Sequence, residues 1–391
     1  MSKIFIVIPT YWGRPIGQVP QPGDALFDHP TPVDGESTLP RLLQSLQQQA
    51  GAEFAVLIIT AAVTASVEAT ATQRVAELIA PYREAYPIAQ FDAAELAFLR
   101  ESVPALNVVP APVMLRSYPT IRNLQLIVPH ILGAEKIIAL DDDEVVAPDY
   151  VRRAADVLSQ EEQGERVCGA AGFHLDAAGE ILLPESPHTG NIFRDKAAIM
   201  NAGTRALQST PGRLVATPVA FGGNMLFHRD LFTRVGFDPG ITRGEDIDYL
   251  LNARLAGLRF WLDKELPIIH LPPTHYDSSL YAKLQQDVIR FIYEREKMKC
   301  SGVDPAYFDP YPGRFLRVDV AEHALAALRS VATPADVERL GLPRKIVAEA
   351  RRHARAVAPR YVSFARRWPA LLRAVERNQQ LCVHWQAAFA R

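Results

Sequence analysis

Three groups of side chains have the types and spacing to do chemistry. In the first, IIALDDDEVV (residues 137–146), an apolar run meets four consecutive acids, Asp141, Asp142, Asp143 and Glu144. Each carboxylate raises the cost of ionising the next, so such a cluster needs solvent, a cation or positive neighbours. If the chain stays extended, alternate side chains face the same way. Asp141 and Asp143 then converge on one cation, with Asp142 turned aside. Hard oxygen ligands suit Mg or Mn, and magnesium is usually completed by substrate phosphates. The plain alternative is a hydrated acidic turn. The second group is GEDIDY (244–249), with Glu245, Asp246 and Asp248. Thr242 and Glu245 have capping-box spacing, and Asp246 in a first helical turn gains from the macrodipole. A carboxylate held there can also act as a general base. The third is PIIHLPP (267–273), where His270 ends an apolar run before two prolines that stop a ladder. A lone histidine there is more often a core residue than a ligand, and His275 competes with it.

These groups need elements to hold them. KIFIVIP (3–9) and EFAVLII (53–59) have the continuous apolar, β-branched character of strands buried on both faces of a parallel sheet. LPRLLQSLQQQAG (39–51) and ASVEATATQRVAELIAPYREA (65–85) read as helices. NVVPAPVML (107–115) is expected to hold a third strand, IRNLQLIVPHILG (121–133) a helix bent at Pro129, and KIIAL (136–140) a fourth strand. Alternating strand and helix implies a doubly wound α/β unit, in which ligands gather at the carboxyl ends of the strands. The acids sit at such an end. Residues 176–218 read as irregular loops around short strands. GEDIDYLLNARLAG (244–257) reads as a helix, and FWL and LPIIHL as two short strands. From about residue 277 long helical segments take over, giving expected domains of 1–276 and 277–391.

The 391 residues are 48% hydrophobic and 22% charged, with a formal net charge of -2. This is ample for a large core and gives no bulk attraction for nucleic acid. The three cysteines, Cys168, Cys300 and Cys382, show no paired spacing, which argues against a disulfide scaffold or zinc-thiolate site. No stretch reaches the roughly 18 apolar residues of a membrane span. The N-terminus reads as a strand rather than a signal peptide, and a cytoplasmic location is expected. From residue 341 onward eleven Lys and Arg face only Glu349 and Glu376, a net of +9. That is a solvated helical face or a surface for an anionic membrane or acceptor.

Taken in order, the motifs resemble the family-2-type glycosyltransferases, nucleotide-diphospho-sugar transferases of GT-A fold. IFIVIPTYWGRP (4–15) resembles their opening strand and nucleotide loop. RNLQLIVPHILGAEKIIALDDDEVVAPDYV (122–151) resembles the helix, strand and DxD region. GGNMLFHRDLFTRVGFDPGITRGEDIDYLLNARLAGLRFWL (222–262) resembles the acceptor-side segment and ED helix. The match runs over roughly 3–275. It implies a Rossmann-like, mostly parallel sheet flanked by helices, followed by a C-terminal α-helical region. It also implies a metal-dependent, inverting transfer of a sugar, a hexose by expectation, from a nucleotide-diphosphate donor to an acceptor hydroxyl. Asp143, with Asp141 sharing and His270 completing the shell, would hold Mg or Mn. Thr10, Tyr11, Arg122, Asp141 and Asp142 would bind the nucleotide sugar. Gly223, Asn224 and Glu245 would lie on the acceptor side, and Asp246 would deprotonate the acceptor.

The sequence departs from that pattern at LIITAAVTAS (57–66), which lacks the acid that reads the base in many relatives, leaving Thr60 or backbone groups to do so. The loop 11–38 is also long, rich in Gly and Pro, and suits a rim of the site. Other readings are a retaining GT-A enzyme, a haloacid-dehalogenase-type phosphatase using Asp141 and Asp143, a nucleotidyltransferase, and a sugar-nucleotide-binding module without catalysis. The phosphatase motif normally stands near the start of its chain. A nucleotidyltransferase would need a Gly-rich phosphate loop that IPTYWGRP does not supply.

Overall fold

The computed structural model describes residues 3–390 except 22, 109, 221, 274–278, 300 and 318; His275 therefore lies outside the described residues. Twelve strands are described: β1 (Ile4–Gly13), β2 (Thr31–Pro32), β3 (Ala55–Ala62), β4 (Ile88–Phe91), β5 (Lys136–Ala139), β6 (Glu144–Val145), β7 (Glu161–Glu162), β8 (Glu165–Arg166), β9 (Gly169–Leu175), β10 (Leu214–Ala216), β11 (Met225–His228) and β12 (Trp261–His270). Ten form one sheet with a path β10-β12-β9-β11-β5-β1-β3-β4, β2 beside β1 and β6 beside β12. The half from β5 to β4 is parallel. β11 runs antiparallel between β5 and β9. The result is an α/β fold, mostly parallel and flanked by helices, as the resemblance implies.

The parallel half forms because its strands are apolar on both faces. Phe5 to Ile8 and Val56 to Ile59 are wholly buried, which requires helices on each side. The Ala65–Ile79 helix supplies one layer through Val67, Ala71, Val75 and Ile79, a four-residue spacing that places them in one stripe. The Tyr118–Ile131 helix packs between the sheet and the C-terminal helices. Its Pro129 lies in the last turn, where helix C-termini tolerate a break.

Three sequence expectations need correction. No strand is described in 107–115; the strand expected there is supplied by Ile88–Phe91, and KIIAL forms its strand as expected. Pro110 and Pro112 lack the N–H a ladder needs, and the carbonyls of Pro112 and Val113 are held by Asn123 and Arg100 side chains. The 176–218 stretch holds a full helix, Lys196–Ser209, which buries Ile199, Gly203 and Leu207 at four-residue spacing. FWL and LPIIHL join as one strand, irregular between Asp263 and Ile268.

The C-terminal helices fall into two groups. Leu280–Lys299, Val320–Val331 and Pro343–Val357 build a second core with Ile199, Ile241 and Ile247. Arg360–Glu376 and Gln379–Phe389 instead join the main core. Trp385 stacks on Phe91 at 5.6 Å, Phe389 meets Phe5 edge-on at 5.7 Å, and Trp368 Nε1 donates to Phe232 O at 2.8 Å. Each buried aromatic of this kind stabilises by ~1.5–3 kcal/mol of transfer free energy. No described helix is long and apolar enough to cross a membrane.

Candidate active site

β5 ends at Ala139, Asp142 and Asp143 form a turn, and Glu144 opens β6. The alternating-face argument therefore fails: Asp141, Asp142 and Asp143 all line one cavity of about 330 Å³. Asp246, Glu245, His270, Arg122 and Tyr11 line the same cavity. Two carboxylate groups about a hundred residues apart in the chain thus share one chamber.

Positive neighbours answer part of the crowding. Arg122, only 3% exposed, lies between two acids: its Nη2 is 2.9 Å from Asp141 Oδ1 and its Nε donates to Glu245 Oε1 at 3.2 Å. His270 Nε2 stands 3.3 Å from Asp143 Oδ2. Burial opposes the charge of both partners, yet their hydrogen bond and mutual attraction prevail, lowering Asp143 and raising His270 from their ordinary pKa values. The remaining acids have less compensation, with His174 Nε2 at 3.9 Å from Glu144 Oε1. Burial, then the Asp143 charge, pushes Asp142 up to about 8. Burial, then Asp141 and Asp143, pushes Glu144 well above the carboxylate range. Glu144 Oε2 accepts from the Asp141 N–H at 3.0 Å, and its Oε1 has no hydrogen-bond partner among the described residues.

Glycines shape this corner. A Cβ on Gly223 would stand 1.7 Å from Glu144 Oε1, and one on Gly222 would stand 2.5 Å from Arg122 Nη2. Only glycine lets the chain pass so close. The Gly222 N–H then donates to Asp246 Oδ2 at 3.1 Å, while Asp246 Oδ1 accepts from Ile247 N at 2.8 Å. The capping box does not form. Gly244, in the left-handed region at φ 67°, is the N-cap, and Thr242 Oγ1 is unpartnered among the described residues. Glu245 is turned to Arg122 instead. Burial, then Asp246, raises it to about 7.

The other expected residues are placed variously. Tyr11 faces the cavity with its buried hydroxyl unpartnered, whereas Thr10 beside it is wholly buried and absent from the lining. Thr60 Oγ1 accepts from Gln90 Nε2 at 2.9 Å, inside the sheet. Asn224 does not reach the cavity. It is fully buried, donates to Leu266 O at 2.9 Å and accepts from Tyr150 Oη at 2.6 Å, so it ties β11 to β12. Gly223 contributes backbone room rather than a contact.

Sequence reasoning missed Asp28, His29, His174, Lys196, Arg243, Asp287, Arg290 and Tyr311, all of which line the cavity. Asp28 and His29 come from the long loop, which is therefore a rim, and Asp28 Oδ2 accepts from Arg243 Nη2 at 3.1 Å. Asp287 and Arg290 come from the Leu280–Lys299 helix. They carried a signal: Asp287, Arg290, Glu294 and Lys297 are charges at helical spacing on a buried face. A larger cavity of about 730 Å³ adjoins, sharing Asp28, Tyr118 and Arg243 with the smaller one.

The donor set suits a hard divalent cation: clustered carboxylates whose shared negative charge a cation would relieve, with the imidazole of His270 beside Asp143. It is an open set, as expected where substrate phosphates complete the shell. Among the described residues, the one group with three ligand atoms within 4.8 Å is Cys168, His228 and Asp230. It lies at the opposite end of β5, since His228 pairs with Lys136. There His228 Nδ1 accepts from Asp230 N, capping a short helix.

No protein-family model matches the chain, and no curated protein sequence matches it. Among solved structures it is similar to a mannosyltransferase from Pyrobaculum calidifontis in complex with GDP-Man and Mn2+, at 15% identity, TM-score 0.46, covering 99% of this chain and 87% of that one. It is similar to S. aureus TarS at 12% identity, TM-score 0.39, covering 92% of this chain and 55% of that one. It is similar to GalNAc-T7 with UDP, GalNAc and Mn2+ at 14% identity, TM-score 0.43, covering 87% and 56%. The chain thus spans about half the length of the last two. At these scores the likeness is slight, and the functional reading rests on the cavity itself.

Proposed function

We propose that the chain is a glycosyltransferase that moves a sugar from a nucleoside-diphosphate donor to an acceptor hydroxyl, with inversion. The observation that carries this is the single cavity holding the Asp141–Asp143 acids and His270 together with the separate carboxylate of Asp246. Asp143 and His270 would hold a magnesium or manganese ion, with Asp141 at its edge. When bound, that ion stabilises the negative charge that develops on the departing diphosphate.

The chain's own residues account for the rest. Arg122 holds Asp141 and Glu245 in place and brings positive charge to the donor side. Tyr11 presents an unsatisfied hydroxyl to the nucleotide. Asp246, fixed by two backbone N–H groups at a helix start, takes the acceptor proton; its carboxylate is oriented before substrate arrives. A dehalogenase-type phosphatase would not need Asp246 in the cavity. The basic helices from 341 onward, with Arg344, Arg352, Arg355 and Arg367 exposed, suit an anionic membrane surface, and salt-sensitive binding to anionic vesicles tests that contact.

The test of function is a panel of nucleotide sugars with Mn2+ or Mg2+, read as a rise in melting temperature and as slow donor hydrolysis. Stabilisation by one donor, dependent on metal, supports the reading. Release of phosphate from simple esters without any response to nucleotide sugars overturns it.

A further inference from the structure

Asp287 and Arg290 line the cavity, and each leaves one buried polar atom unused. Asp287 is 6% exposed, and its Oδ2 accepts from Lys196 Nζ at 2.5 Å. Its Oδ1 has no partner among the described residues. Arg290 is 4% exposed: its Nε donates to Glu294 Oε1 at 3.0 Å and its Nη1 to Tyr311 Oη at 3.2 Å. Its Nη2 has no partner among the described residues. A buried polar atom without a partner costs ~1–3 kcal/mol, more if charged, and two beside one cavity are what a ligand would relieve. Arg290 also packs against Gly244, where a Cβ would stand 2.0 Å from Nη1. That contact places the guanidinium against the start of the helix that carries Asp246.

The complementary chemistry is narrow. Asp287 Oδ1 accepts a hydrogen bond and Arg290 Nη2 donates one, and a hydroxyl does both at once. The nucleotide side is set by Tyr11, Arg122 and Asp141, whereas these groups neighbour Asp246. We infer that Asp287 and Arg290, steadied by Lys196, bind a neighbouring hydroxyl of a carbohydrate acceptor and so present the reacting hydroxyl to Asp246. This rests on the transfer reading above and adds the acceptor's chemical class.

The probes are methyl α- and β-glycosides of glucose, mannose, galactose and N-acetylglucosamine, titrated by saturation-transfer NMR with Mn2+ and UDP or GDP present. The wild type should bind at least one glycoside. Asp287→Asn should weaken it about 10- to 100-fold, the range for losing a hydrogen bond to a charged group, while the melting response to Mn2+ and nucleotide persists. Equal glycoside binding in Asp287→Asn overturns the inference. So does a wild type that responds to metal and nucleotide but binds no glycoside, a result that leaves the transfer reading intact. If Asp287→Asn does not fold, Lys196→Gln decides, with weakened glycoside binding expected and unchanged binding fatal. A wild type that ignores metal and nucleotide but binds glycoside through Asp287 sinks the transfer reading and keeps the carbohydrate site.

Discussion

The strand-end wall of the cavity and the helical region packed around Leu280–Lys299 handle buried charge differently. At the end of β5, four consecutive acids meet Arg122, His270 and, 3.9 Å from Glu144, His174, and burial leaves Asp142, Asp141 and Glu144 raised. On the helical side each buried charge has its counter-ion. Lys297 Nζ contacts Asp248, Asp238 Oδ2 at 3.1 Å and Asn252 Oδ1 at 2.9 Å; Arg290 meets Glu294 and Lys196 meets Asp287. A network of ion pairs positions its surroundings, even where Asp287 Oδ1, Arg290 Nη2 and Glu294 Oε2 lack a hydrogen-bond partner among the described residues. An open acidic cluster is a site waiting for positive charge from outside. The contrast separates an acidic cluster short of counter-charge from a paired helical region that reaches the cavity through Asp287 and Arg290.

The comparison can be broken at several points. The largest effect is expected at Asp246→Asn, which should keep metal-dependent donor binding while lowering turnover by ~100- to 10,000-fold in single-turnover assays; near-normal turnover would remove the base from this account. Next comes Lys297→Met, which strands Asp238 and Asp248 in the interior. Denaturant unfolding should show a loss of ~3–5 kcal/mol, typical of removing one partner of a buried pair. The strand-end wall should answer with the reverse sign. Asp142→Asn relieves a carboxyl that burial has raised to about 8, so at pH 8 the metal-free protein should melt higher, by about 2 °C or more. Smallest is a pH effect at Glu245. Its folded pKa of about 7 exceeds the ordinary 4.5, so the folded state holds a proton that the unfolded state releases. Its contribution is therefore favourable at low pH and is lost as pH rises from about 4.5 to 7. Glu245→Gln should flatten the melting-temperature profile across that window.

How much of this was legible in the sequence follows from where each side chain sits. The acids after β5, Asp246 and His270 stand at ends of elements with strong local patterns, and order along the chain linked them. The parallel strands were equally plain from their unbroken apolar runs. The 107–115 strand was misplaced because apolar content outweighed two prolines. The capping box at Thr242 was misread because a nearer glycine could take the N-cap and Arg122 could take Glu245. Asp28 with Arg243, 215 residues apart, leaves no local trace. The charged stripe on Leu280–Lys299 was visible, but its partners Asp238, Asp248 and Lys196 lie far off in the chain.

The central claim is that Asp143, with His270 beside it, holds a cation against the diphosphate of a donor. Titration calorimetry of UDP and GDP, in Mn2+ and in EDTA, on the wild type and Asp143→Asn, tests it most directly. The account predicts metal-dependent binding of at least one nucleotide in the wild type and its loss in the variant. Binding that is equal with EDTA, or unchanged by Asp143→Asn, would contradict it.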